Sequence, residues 1–291
     1  MLIHCFHARR WRRLVLAVMA MLLFAVILRL SSVQAAPTMA QEDGTVTLPI
    51  LMYHHMLKDE KRLGKYVVSP EELEQDLRIL RDRGYTTISP EELAAWCRGQ
   101  GTLPEKPVML TFDDGYLSTF TYALPILEQY QAKAVVSCVG SYTDRFTNTP
   151  DPNLNYGHMT WDDMVTLAAS PLISIGNHSY DMHNIEGRKG IAMTMGESVE
   201  HYRAALYDDV YYMQGLLQEH LGEMPITFAY PFGAMSDASQ PIIQEMGFTV
   251  GLTCLEQINY LSGDIQELQT LCRYNRPHGM DINKILDLAE G

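Results

Sequence analysis

Four short stretches of this 291-residue chain combine residue types that move protons or hold metal ions. PVMLTFDDGY, residues 107–116, ends a strand-forming run in two adjacent carboxylates, Asp113 and Asp114, followed by a glycine. An unpaired carboxylate behind such a buried run costs several kcal/mol, so both need partners. LISIGNHSYDMH sets His178 directly after an apolar run and His183 five residues later. On a helix that spacing turns two side chains about 140° apart. On a strand end running into a loop, both imidazoles can face one ion. Two neutral histidines and a carboxylate suit zinc or another divalent transition metal, with positions left for water and substrate. ITFAYPFG breaks a strand at Pro231 and Gly233, leaving a turn with free backbone amides. PILMYHHM places His54 and His55 after the first strand, where alternation puts them on opposite faces and lets at most one point at a site above the sheet.

These residues sit at the ends of apolar runs, and the runs alternate with helical patterns. The strand candidates are 49–53, 86–89, 108–112, 133–139, 172–176, 226–230 and 249–255. SPEELEQDLRILRDRG from Ser69 and SPEELAAWCRG from Ser89 each open with an N-cap serine, a proline and first-turn acids. Further helices are expected at 116–131, 160–169, 197–221 and 236–246, with Asp162 and Asp163 serving a first turn. The glycine-rich segment 187–198 reads as a loop, either a rim over the site or a disordered stretch of surface, with the second favoured. Alternation of this kind predicts an α/β fold with a largely parallel sheet, either a barrel or an open sheet, and chemistry gathered where strands end.

With 47% hydrophobic and 20% charged residues, the chain has the composition of a globular protein. Its beginning differs: Arg9, Arg10, Arg12 and Arg13 precede LVLAVMAMLLFAVILRL and then SSVQAAP. That is the layout of an export signal ending near Val33 and Ala35, or of a membrane anchor through residues 14–30. The expected organisation is a signal peptide or anchor at 1–35, a linker at 36–47 and one catalytic domain at 48–291, exported to the envelope or the medium. The formal charge is −13, and the basic residues of the leader leave the remainder more acidic still. An acidic body argues against a nucleic-acid partner, whereas a neutral or amine-bearing glycan is not repelled. Cys97, Cys138, Cys254 and Cys272 follow the leader, and their spacing selects no disulfide pairing.

TFDDGY, the histidines of HSYDMH, and YPFG resemble, in that order, the signature motifs of the polysaccharide deacetylases, the NodB-like carbohydrate esterases of family four. The likeness runs from about Leu48 to Leu255. It implies a distorted (β/α) barrel and metal-dependent removal of acetyl groups from amino sugars. By the resemblance, Asp113 is the general base, Asp114, His178 and His183 bind the metal, and the Phe232 N–H faces the oxyanion. The commoner pattern spaces the histidines by four. The spacing of five resembles the branch acting on poly-N-acetylglucosamine, in which a Tyr-His histidine is the general acid, here His54. His55 is then structural, and His278 is the rival acid. Ala229 stands where many relatives carry an arginine that orients the base, so Arg273 or Arg276 must supply that cation, and the branch favours Arg273. Zinc is the expected ion, with cobalt, nickel, iron or manganese compatible with the same donors. The substrate expected is an acetylated glycan, either peptidoglycan or poly-N-acetylglucosamine. The alternatives are an O-acetyl esterase of the xylan type and a glycan-binding module without turnover.

Overall fold

The computed structural model describes residues 44–291; the signal or anchor segment 1–35 and the linker as far as residue 43 lie outside them. Val46 and Thr47, expected at the end of that linker, already belong to a strand. In chain order the strands are β1 (Val46–Leu48), β2 (Ile50–Tyr53), β3 (His55–Met56), β4 (Val67–Val68), β5 (Thr86–Thr87) and β6 (Pro107–Phe112). They continue as β7 (Ala134–Cys138), β8 (Ile173–Asn177), β9 (Thr227–Ala229), β10 (Val250–Leu252), β11 (Asn259–Leu261) and β12 (Tyr274–Asn275).

The main sheet runs β10-β9-β8-β7-β6-β2-β12, with β5 beside the start of β6. Its neighbours are all parallel. The stretch leading into β12 touches both ends of this order. Leu271 bridges Leu252 of β10, while Tyr274 and Asn275 pair with Leu51 and Met52 of β2. The sheet therefore curls into a distorted barrel whose gap is spanned by residues 271–275.

Alternation along the strands separates inside from outside. Ile50, Met109, Val135, Ala229, Val250, Leu252 and Leu271 pack together within the curl. Leu51, Leu110, Phe112 and Val136 face the other way, against Leu73, Leu77 and Leu127 of the surrounding helices. Phe228 and Tyr230 pack outward on Tyr202, Ile242 and Ile243.

The helices are α1 (Pro70–Asp82), α2 (Pro90–Cys97), α3 (Leu124–Tyr130), α4 (Gly140–Asn148), α5 (Trp161–Ala168), α6 (Val199–Leu206), α7 (Tyr212–Leu221), α8 (Ser239–Glu245) and α9 (Asn283–Glu290). Ser69 and Ser89 each close a capping box, their hydroxyls accepting from the N–H of Glu72 and Glu92 while those carboxylates accept in return. The helix expected over 116–131 begins at Leu117 and runs through a π-helical turn, Thr119–Ala123, before α3. A second π-helical turn, Tyr207–Tyr211, joins α6 to α7. Helix α4 escapes sequence reading because it buries just Gly140, Thr143 and Phe146, too few and too mixed for an apolar period.

Segment 187–198 differs from the loose loop expected of it. Arg188 pairs with Glu197 at 2.5 Å with both side chains buried, Ile191 is fully enclosed, and the Tyr202 hydroxyl donates to the Ile191 carbonyl. Gly190, at φ +53, lies so close to Pro231 that a Cβ there would sit 2.2 Å from the Pro231 carbonyl oxygen. Among the described residues no helix is long and apolar enough to cross a membrane, and Cys97, Cys138, Cys254 and Cys272 are free thiols.

Candidate active site

The curl delivers the chemistry-bearing residues to one rim, because β2, β6, β8 and β9 are parallel and each is followed directly by one of the motifs. Side-chain alternation then selects which residues look inward. On β6, Met109 and Thr111 face the interior, and Asp113 continues that series. On β8, Ile173 and Ile175 face out, so His178 turns in. On β2, Ile50 faces in, which aims His54 inward and His55 outward.

Asp113 is 2% exposed and meets Arg273, which is fully buried. The guanidinium grips both carboxylate oxygens, Nη1 to Oδ1 and Nη2 to Oδ2, each at 2.8 Å. Nη1 also donates to Thr111 Oγ1 at 3.0 Å, and Nε donates to the Thr253 carbonyl at 2.8 Å. Burial alone would raise the Asp113 carboxyl; the Arg273 charge reverses this and holds it below the usual carboxylate range. Arg276 goes elsewhere, to Asp76 at 2.7 Å and Glu72 at 3.2 Å. Ala229 does face the interior, as an orienting arginine at that position would, and its carbonyl is put to another use described below.

Asp114 adopts φ 70, a left-handed conformation uncommon outside glycine. That turn separates it from Asp113 and brings its Oδ1 to 3.5 Å from His178 Nε2 and 3.6 Å from His183 Nε2. One donor atom from each of the three residues lies within 4.8 Å of the others. His178 Nδ1 is 2.7 Å from the Ala229 carbonyl, which can only accept, so Nδ1 carries a proton and Nε2 faces Asp114; burial alone would lower this imidazole, and the Asp114 carboxylate outweighs it and raises its pKa. His183 Nδ1 is buried without a partner. Burial lowers the His183 imidazole to about 4, which keeps it in the neutral form a ligand needs. Two imidazoles and an ionised carboxylate converging this closely fit a divalent transition ion, which takes imidazole ligands in their neutral form.

His54 stands edge-on to Tyr66 with Nδ1 buried and unpartnered, and burial lowers its pKa against the pull of Asp113 and Asp114. His55 stacks on Tyr116 at 4.2 Å and is bonded through Nε2 to the Leu154 carbonyl at 2.7 Å, away from the carboxylates. His278 is exposed and bonded to Glu72. Phe232 adopts φ 58 within the turn Pro231–Gly233, and its half-exposed ring lies 4.7 Å from that of His183. The turn is closed by the N–H groups of Gly233 and Ala234, leaving the Phe232 N–H outside its own bonds.

A family model described as polysaccharide deacetylase matches residues 100–251, more than half of the chain. The chain belongs to the polysaccharide deacetylase family. A poly-β-1,6-N-acetyl-D-glucosamine N-deacetylase from Escherichia coli (strain K12) is 27% identical over 223 residues, covering 68% of this chain and 33% of that protein. A Staphylococcus aureus (strain MRSA252) protein of the same name is 22% identical over 205 residues, covering 70% and 66%. The chain thus spans about a third of the length of the E. coli relative. The solved structure of a de-N-acetylase from Aggregatibacter actinomycetemcomitans superposes with a TM-score of 0.72 at 25% identity, covering 84% of this chain and all of that one. IcaB from Ammonifex degensii gives 0.70 at 24% identity, over 84% and 97%, and shares the fold.

Within this polysaccharide deacetylase, several residues around the candidate site have no sequence signal of their own. Thr111 becomes visible only once alternation along β6 puts it on the Asp113 face, and Thr253 contributes through its carbonyl. Tyr116, His158 and Tyr142 form a run of ring contacts, at 4.6 and 4.5 Å, that ends 6.4 Å from His183.

Proposed function

We propose that the chain is a metal-dependent N-deacetylase that removes acetyl groups from a glucosamine-containing polysaccharide, poly-N-acetylglucosamine or peptidoglycan, and releases acetate. The observation that carries this reading is the Asp113–Arg273 pair beside the Asp114–His178–His183 triad. A glycan-binding module needs no buried carboxylate held ready beside a metal site. The names of the E. coli and S. aureus relatives favour the poly-N-acetylglucosamine polymer.

Asp114, His178 and His183 are the ligands in this reading. A divalent ion there, zinc first among the candidates, supplies a water of lowered pKa and positive charge for the developing oxyanion. Asp113 takes the proton from the attacking water, and its orientation comes from the fork of Arg273. The Phe232 N–H, freed by the left-handed turn, donates to the oxyanion. His54, on the same inward face as the strand residues below it, returns a proton to the departing amine. Amides demand that proton more than esters do, so a positioned acid fits the amine-releasing reaction, while the same apparatus is also competent for O-acetyl esters. Export, and attachment to a membrane through residues 14–30, belong to this reading through the leader sequence alone.

The test is acetate release from N-acetylglucosamine oligomers by residues 36–291, as purified, after chelation, and after adding zinc or cobalt, beside an O-acetylated xylan oligomer. Amide turnover lost on chelation and restored by metal supports the proposal. Turnover of the ester alone redirects it to an O-acetyl esterase, and metal binding without turnover of either points to the binding module.

A further inference from the structure

The two histidines of the triad are secured differently. His178 is oriented by its own ring bond to the Ala229 carbonyl, whereas the buried His183 Nδ1 has no partner. Where His183 points is therefore inherited from the backbone between them. That backbone is unusual, since Ser179 takes φ 71, and it is gripped from outside the barrel by one carboxylate. Asp209 Oδ1 accepts the Tyr180 N–H and Oδ2 accepts the Asp181 N–H, each at 2.8 Å.

Asp209 belongs to the π-helical turn Tyr207–Tyr211, a local insertion of the kind that re-aims side chains at functional sites. It is 7% exposed, and Asp181 is the charged neighbour that acts on it. Burial pushes its carboxyl up to about 6, so the fold holds a costly group here. The same helical connection holds the loop a second time: Asn177 accepts the Ser179 N–H at 2.8 Å and donates to the Val210 carbonyl at 3.1 Å.

We propose that Asp209 is a positioning residue for His183, its carboxylate clamping the Tyr180–Asp181 backbone so that histidines five residues apart present both imidazoles to one divalent cation. The inference rests on the metal-binding reading above and explains how the wider spacing is accommodated. Asp209→Asn preserves the shape but turns an NH2 toward one of the two N–H groups, and Asp209→Ser removes one acceptor and shortens the reach.

Competition of zinc between the protein and a chromophoric chelator reads the effect without reference to turnover. Both variants are expected to bind zinc about 10–100-fold more weakly than the unsubstituted protein. Leu217→Ala, which opens the buried face of α7, is expected to lower the Tm and leave zinc affinity unchanged. Zinc binding by folded Asp209→Asn equal to that of the parent overturns the clamp while the metal site stands. Failure of the parent itself to bind zinc or cobalt overturns the metal reading and the inference with it. Should neither variant fold, amide exchange in the metal-free parent decides: protected Tyr180 and Asp181 amides support the clamp, and rapid exchange of both overturns it.

Discussion

Asp113 and Arg273 are both desolvated, and what each is worth depends on the other being present. Removing the cation leaves an uncompensated buried carboxylate, at a cost of about 3–5 kcal/mol. Arg273→Met is accordingly expected to lower the Tm by 5 °C or more, on the order of the ΔΔG-to-Tm conversion for a domain of this size, as read by thermal melting. Arg273→Lys keeps the charge but cannot match both carboxylate oxygens, and kcat should fall about 10-fold or more while zinc affinity holds. Asp113→Asn should reduce kcat by about 10²–10⁴, with zinc affinity retained because Asp114 and the histidines are untouched. Retained turnover would remove Asp113 from the base role. The residues of this site were unevenly legible. Asp113, Asp114, His178 and His183 stand in short motifs whose chemistry is local. Arg273 does not, since nothing local distinguishes it from Arg276; the two part only because one side chain enters the barrel and the other meets Asp76 and Glu72 outside it. Asp209 was illegible, because its role is to accept backbone N–H groups from a loop some thirty residues earlier.

Elements carry the next level of control. Capped helices and apolar strands were readable because cap chemistry and burial are written within a few residues. β3, β4, β11 and β12 were not, because two or three residues hold no period and pair only where the rest of the fold places a partner. The order of the loop 187–198 was illegible for a related reason, since its glycines suggest freedom while its anchors, Tyr202 and Pro231, lie beyond it in sequence. Gly190→Ala must place a Cβ against the Pro231 carbonyl at a positive φ, costing about 2 kcal/mol or more. The expected outcome is a displaced Pro231–Gly233 turn: kcat reduced at least several-fold with unchanged zinc affinity, read by steady-state kinetics and zinc titration. At the start of α1, burial would raise Glu72, but His278, the Ser69 and Gly279 N–H groups and Arg276 hold its carboxyl at about 2. A carboxyl depressed in the folded state stabilises above its unfolded pKa and loses that contribution as pH falls. Stability from this junction should therefore be complete above about pH 4.5 and disappear toward pH 2, a loss that Glu72→Gln flattens in acid titrations followed by circular dichroism.

For the molecule as a whole, an ion held as proposed would couple binding to folding. A ligand that binds only the folded state adds about 2.7 kcal/mol at a free concentration 100 times its Kd, so chelation should lower the Tm as well as abolish turnover, and added zinc should restore both. Reductant should leave the Tm unchanged, since the described cysteines are free thiols. The barrel itself was legible as an alternation of strands and helices, but not its means of closure, because residues 271–275 meet β2 and β10 across very different sequence distances. Those residues span the gap in the sheet and also carry the arginine that grips Asp113. Joining the sheet's ends and orienting Asp113 are thus one event, and it depends on contacts about 160 or more positions apart along the chain. Such distant pairings are slow to form. During refolding, far-UV ellipticity should recover ahead of hydrolytic competence, so that a half-assembled barrel stays chemically silent until its last seam is drawn shut.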